Sequence, residues 1–184
     1  GTSGGGITRL RGSKLAIYST TSGLSHEVVL SVLEDRAEQL WIGTDGGGLN
    51  RLHNGSVTST TTADGLPSDH VYALHEDRSG RLWAGFLNEG ACVVSGGTER
   101  CYTTDDGLSS NAVYAIADDA AGNLWIGTDT GINRIRGGQV RSFTQEDALP
   151  HNWVTAIHED SRGTVWIGTF GGLAAYTDSS FTTY

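Results

Sequence analysis

The chain has 184 residues, enough to bury a core of ordinary domain size, and its 37% apolar content includes no run near membrane-span length. A formal net charge of −9 argues against a nucleic-acid partner, which would want a basic face. With 27 Gly and only 2 Pro, the composition suits many tight turns rather than a disordered linker.

The opening residues Gly1-Thr2-Ser3-Gly4-Gly5-Gly6 match Gly43-Thr44-Asp45-Gly46-Gly47-Gly48. The chain is therefore expected to begin inside a repeat, as a cut piece whose targeting segment lies elsewhere, and its lack of Met agrees. Two strands are expected first, about Ile7–Leu10 and Leu15–Ser19, around a Gly12-Ser13 turn. After them one five-residue stretch returns four times: Leu40-Trp41-Ile42-Gly43-Thr44, Leu82-Trp83-Ala84-Gly85-Phe86, Leu124-Trp125-Ile126-Gly127-Thr128 and Val165-Trp166-Ile167-Gly168-Thr169. The tryptophans are 42, 42 and 41 residues apart, and a fixed period in this range marks a repeat architecture.

The unit from Asp64 to Thr104 illustrates the plan. Asp64-Gly65-Leu66-Pro67-Ser68 reads as a turn. Val71-Tyr72-Ala73-Leu74-His75 is apolar on nearly every position, as a strand buried on both faces would be. A turn at Glu76-Asp77-Arg78-Ser79-Gly80 leads to the tryptophan strand, and Leu87-Asn88-Glu89-Gly90 turns into Ala91–Val94. Gly96-Gly97 signals a two-residue hairpin before the outer strand Glu99–Thr103. The other inner strands are Val28–Leu33, Val113–Ala117 and Trp153–His158. The other hairpin turns are Asn54-Gly55, Gly137-Gly138 and Asp178-Ser179.

Four short strands per repeat make one propeller blade, and a blade must stack on its neighbours to bury both faces. The expected fold is all-β: a β-propeller of four-stranded antiparallel blades, about four and a half of them present, an arc or fragment of a larger ring. The blades would span 1–21 (a half), 22–63, 64–105, 106–146 and 147–184 of one domain. The open faces and strand edges of such an arc would invite association, including a homodimer. Each inner strand carries one small residue, Ser31, Ala73, Ala115 or Ala156, which would leave room for the neighbouring tryptophan. Gly43, Gly85, Gly127 and Gly168 would avoid a clash with the next blade. Asp77, Asp119 and Asp160 look like turn residues bonding their own backbone. His75 and His158 share one slot and are expected to be packed.

If Gly96-Gly97 is a two-residue turn, Cys92 faces Cys101, at a separation that suits a disulfide and an oxidising compartment; two reduced thiols in contact are the other reading.

The pattern Asp-Gly-Leu-(Pro/Ser)-Ser-x-x-Val-Tyr-Ala, then Asp-x-x-Gly-x-Leu-Trp-Ile-Gly-Thr, then Gly-Gly-Leu-Asn-Arg, carried by Asp64–Gly85, Asp106–Thr128 and Trp41–Arg51, resembles the two-component regulator propeller repeat. The resemblance implies propellers of about seven blades. It also implies the extracytoplasmic sensor region of a bacterial signalling protein, on the periplasmic or extracellular side of a membrane-anchored parent. Some members of that family sense oligosaccharides. The remaining blades and signalling domains of the parent would be partners, with no membrane contact by this segment. The histidine kinase of those proteins is missing from this chain.

Propeller ligands usually sit over the central channel, on two loop sets. The first, from outer strand to next inner strand, offers His26, Asp69, His70, Asn111, Asn152 and Trp153. The second, between the second and third strands, offers Asp45, Asn88, Glu89, Asp129 and Phe170, with Phe86 just before it. Trp153, Phe86 and Phe170 would be platforms for sugar faces, and the polar side chains would bond a small-molecule or oligosaccharide ligand. The histidines have no metal-ligand spacing, and no nucleophile elbow, phosphate loop or zinc-protease motif occurs, so no metal, cofactor or catalytic residue is expected. A catalytic propeller, lyase or glycoside hydrolase, and a protein-interaction scaffold are the alternatives to a non-catalytic sensor.

Overall fold

The computed structural model describes residues 4–11, 14–94 and 100–184. Strands β1 (Ile7–Arg11) and β2 (Lys14–Tyr18) form a two-stranded antiparallel sheet. Four four-stranded antiparallel meanders follow. They comprise β3 (Val29–Glu34), β4 (Leu40–Thr44), β5 (Leu49–His53) and β6 (Ser56–Thr60), then β7 (Val71–Glu76), β8 (Leu82–Phe86), β9 (Ala91–Val93) and β10 (Arg100–Tyr102). The last two are β11 (Val113–Asp118), β12 (Leu124–Thr128), β13 (Ile132–Arg136) and β14 (Gln139–Phe143), then β15 (Val154–Glu159), β16 (Val165–Thr169), β17 (Gly172–Thr177) and β18 (Ser180–Thr183). The inner strands β3, β7, β11 and β15 pack each against the next, so the sheets stand side by side as four and a half blades.

What holds blade to blade differs from the sequence expectation. The small inner-strand residue does not face the tryptophan; Ser31, Ala73, Ala115 and Ala156 pair with Gly43, Gly85, Gly127 and Gly168. The tryptophans pair instead with Leu33, His75, Ala117 and His158. The room made by two small partners takes the valine of the next inner strand. A Cβ on Gly85 would lie 2.6 Å from Val113 Cγ1, and one on Gly127 would lie 2.6 Å from Val154 Cγ1. Val71, Val113 and Val154 are fully buried as a result. Each such burial stabilises by about 1.5–3 kcal/mol.

Each tryptophan donates its indole N–H to the aspartate of the turn before it: Trp41 to Asp35 at 2.8 Å, Trp83 to Asp77 at 2.8 Å, Trp125 to Asp119 at 2.7 Å and Trp166 to Asp160 at 2.9 Å. The second carboxylate oxygen accepts the turn's own backbone N–H groups, as from Ser79 and Arg81 onto Asp77. Burial pushes the Asp77 carboxyl up, but the Trp83 and Arg81 hydrogen bonds and the Arg81 charge outweigh it and hold it below the ordinary range. Asp160 is also held low, chiefly by Trp166. The next residue's backbone N–H then reaches the following blade: Arg36 to Glu76 at 2.9 Å, Arg78 to Asp118 at 2.9 Å and Ala120 to Glu159 at 2.8 Å. His75 Nε2 meets Asp118 Oδ1 at 2.9 Å in the same seam. His158, expected to be packed in the equivalent slot, is exposed because no inner strand follows β15 in this chain.

At the opposite ends of the blades, a buried side chain varies with the loop above it. Asn50 Oδ1 accepts the Ser25 N–H at 3.0 Å, and Asn133 Oδ1 accepts the Ser109 N–H at 2.8 Å. In the two other complete blades the loop residue is Pro67 or Pro150, and the buried slot holds Cys92 or Ala174. Proline has no N–H to satisfy, so the buried amide is not needed. Cys92 is free to pair with Cys101, its register partner, in a disulfide with Cα atoms 4.0 Å apart.

Short 3-10 turns at Thr20–Ser22, Thr62–Asp64, Thr104–Asp106 and Gln145–Asp147 precede the loops. Gly65 and Gly107 close two of them at φ of 101° and 100°, where the last turn has Ala148 at 74°. The hairpin turns Asn54-Gly55, Gly137-Gly138 and Asp178-Ser179 are left-handed at both positions, as type I′ turns require. The Gly12-Ser13 and Gly96-Gly97 turns lie outside the described residues.

Candidate ligand site at the channel mouth

The loops from outer strand to next inner strand repeat position by position, which separates scaffolding from variable side chains. At one position His26, Ser68, Ser110 and His151 each accept the backbone N–H two residues on, at 3.2, 3.2, 3.1 and 3.0 Å. At the next, Asp69 accepts the Thr62 N–H at 2.7 Å, Asn111 the Thr104 N–H at 2.8 Å and Asn152 the Gln145 N–H at 2.8 Å. His26, Asp69, Asn111 and Asn152 are therefore occupied in holding their own loops. Phe86 is a correction too: it is fully buried between β7 and β9, so it offers no face to a ligand. It stands where the other blades carry Thr44, Thr128 and Thr169, and its ring fills a core slot. Asn88 and Glu89 are exposed on the turn between β8 and β9, away from any ring contact among the described residues.

Two positions do vary and do meet. One holds Val28, His70, Ala112 and Trp153; the other holds Asp45, Leu87, Asp129 and Phe170. Asp45 Oδ1 lies 2.6 Å from His70 Nδ1, with both side chains substantially exposed. Trp153 and Phe170 stack with centroids 4.6 Å apart and planes 24° from parallel.

Two residues that sequence reasoning left in the core extend that stack. The register shifts between Val71 and Ala73, and again between Val113 and Ala115. Such a bulge leaves one residue unpaired and re-aims its side chain. The freed residues are Tyr72 and Tyr114, whose rings meet edge to face at 5.8 Å across neighbouring inner strands. Tyr114 in turn lies 5.3 Å from Trp153. A file of four rings results, Tyr72–Tyr114–Trp153–Phe170, none of them fully buried. The available signal was the slot itself: Leu30, Tyr72, Tyr114 and Thr155 each stand one residue before the small residue.

Asp129 sits beside the file. Its Oδ1 is shielded from solvent and has no hydrogen-bond partner. Burial, then the neighbouring Asp129 carboxylate and the Tyr72 phenol, raise the Tyr114 hydroxyl above its ordinary pKa. The mouth thus combines apolar ring faces, a neutral phenol and a half-buried carboxylate. Among the described residues no group of three His, Cys, Asp or Glu side chains could hold a metal ion.

Four copies of a family model described as "two component regulator propeller" match residues 23–46, 65–88, 107–130 and 148–171, just over half of the chain. Among curated proteins, none matches by sequence. Of solved structures, the extracellular domain of a hybrid two-component system from B. thetaiotaomicron superposes with a TM-score of 0.86 at 28% identity, over 100% of this chain and 26% of that one. The extracellular domain of a one-component system from the same organism gives 0.82 at 24% identity, over 98% of this chain and 28% of that one. Virginiamycin B lyase from Staphylococcus aureus shares the fold at 17% identity, with a TM-score of 0.73 over 93% of this chain and 59% of that one. The chain thus spans about a quarter of the length of the two extracellular domains from B. thetaiotaomicron that it resembles.

Proposed function

Because the chain belongs to the two-component regulator propeller family, we propose that it is the ligand-binding part of a bacterial sensor exposed outside the cytoplasm, and that it binds without turnover. The ligand we assign is an oligosaccharide lying along the ring file. The observation that carries this reading is the ring file Tyr72–Tyr114–Trp153–Phe170 with the half-buried Asp129 carboxylate beside it. Pyranose rings present apolar C–H faces to aromatic planes and hydroxyl donors at their edges, which suits both halves of that arrangement. Asp45 and His70 supply further polar contacts at the neighbouring seam. The Cys92–Cys101 disulfide favours an oxidising compartment, and among the described residues no helix is long and apolar enough to cross a membrane. A denatured, unreduced sample should titrate no free thiol.

A lyase or hydrolase activity is the second reading, favoured only by the propeller lyases that share the fold. Isothermal calorimetry against a panel of neutral and acidic oligosaccharides, with chromatography of the recovered sugar, tests the choice. Binding with unchanged sugar is expected. Shortened or unsaturated products would overturn the non-catalytic reading, and silence toward every sugar would favour a protein-interaction role. The longer parent is the right sample beside this chain, since the remaining blades complete the mouth.

A further inference from the structure

Cations are scarce in this chain, with 12 Lys and Arg against 21 Asp and Glu. Three of them nonetheless share one face of the β13–β14 hairpin. Arg134 and Arg141 are direct cross-strand partners, and Arg136, two residues past Arg134, stands opposite Gln139. Like charges placed directly opposite destabilise an antiparallel pair. The corresponding pairs in the other blades are Arg51 with Thr58, Val93 with Arg100 and Ala175 with Thr182, so no other described blade sets two arginines against each other. Arg36, Arg78, Arg81 and Arg100 each have a carboxylate at 4.0 Å or less, whereas among the described residues Arg134, Arg136 and Arg141 have none.

The two paired arginines are also held in place. Arg134 donates to Tyr176 Oη at 2.7 Å, and its guanidinium carbon lies 5.9 Å from the Trp125 ring, 5.8 Å from Phe143 and 5.9 Å from Tyr176. Arg141 lies 4.6 Å over the other part of the same platform, Phe143. A guanidinium resting on aromatic rings keeps in-plane N–H groups for a bidentate partner, and little side-chain freedom is left to lose on binding. Arg134, Arg136, Gln139, Val140 and Arg141 line a groove of about 330 Å³ on this hairpin.

We propose that this face of β13–β14 binds an oxyanion: a carboxylate, sulfate or phosphate group, free or carried by a larger ligand. The site lies on the outer strands, away from the inner-strand ring file, and stands whether or not that file binds sugar. Two or three convergent guanidiniums relieve their mutual repulsion on one anion, with Gln139 as a further donor.

Calorimetry at constant low ionic strength, with sodium sulfate, sodium phosphate, a uronic-acid trisaccharide and its neutral counterpart, tests it. Sulfate or phosphate should bind, and Arg136→Gln and Arg141→Gln should each weaken binding about tenfold. Arg51→Gln, at the corresponding position of the first complete blade, where the cross-strand partner is Thr58, should leave it unchanged. Tighter binding of the acidic than of the neutral trisaccharide, in competition with sulfate, identifies a carried group; sulfate or phosphate alone identifies a free ion. No anion binding, or binding untouched in the Arg136→Gln, Arg141→Gln double variant, overturns the proposal. In that case the arginines serve only to cover the rings, which would appear as a lower melting temperature insensitive to the anion.

Discussion

The two ends of the blades follow opposite rules. At the end carrying the turn between the first and second strands, all four complete blades have the same aspartate taking the same tryptophan N–H, and three successive seams repeat the same N–H to carboxylate bond. At the channel mouth, the residue after the tryptophan strand alternates in character: Asp45, Leu87, Asp129, Phe170. The uniform end satisfies buried donors that every blade has, so every blade keeps the same answer. The mouth repeats its own backbone bonds, but two of its positions are free of that requirement, and one stretch there gathers four rings beside the Asp129 carboxylate. Uniformity here marks stability, and departure from it marks the candidate site.

Removing the uniform element should do the most damage. Trp125→Ala empties a fully buried slot and orphans Asp119, and should cost about 3–5 kcal/mol in urea denaturation. Trp153→Ala, at the half-buried mouth, should cost well under half of that while abolishing sugar binding. Next in size is a glycine contrast. Gly127→Ala pushes against Val154 and should cost about 1–3 kcal/mol by the same assay. Gly168→Ala meets nothing nearer than Ala156 Cβ at 3.4 Å and should stay within about 0.5 kcal/mol of the parent sequence.

A third effect is confined to acid. Asp77 and Asp160 titrate below the ordinary range in the folded chain. Their contribution to stability is therefore complete above the unfolded carboxyl value of about 3.9 and lost as pH falls through the lower folded values. Melting temperatures should fall in that acid window, and Asp77→Asn should flatten the fall. Smallest is a gain: Ala148→Gly relieves a left-handed alanine at φ 74° and should add about 1 kcal/mol, raising the melting temperature without touching the mouth.

Much of the fold could be read from period alone, because a tryptophan every 41 or 42 residues pins each second strand and turn residues bracket it. The Cys92 register with Cys101 followed from counting outward from Gly96-Gly97. The packing partner of the small inner-strand residue did not follow. Within one blade it faces glycine, and the valine filling the space comes from the next repeat, a contact that periodicity does not name. The mouth was legible only in part. Trp153 and Phe170 were expected as ring platforms and do stack, but Asp69, Asn111 and Asn152 looked free when each holds a backbone N–H of the preceding 3-10 turn. Tyr72 and Tyr114 were hidden because a bulge, invisible in the alternation of residues, takes them out of the ladder.

The most direct test is side-chain NMR mapping of an oligosaccharide bound to the parent protein. Shifts should concentrate on Tyr72, Tyr114, Trp153 and Phe170, while the indole signals of Trp41, Trp83, Trp125 and Trp166 stay unmoved. Shifts centred on those four indoles, with the ring file silent, would contradict the account.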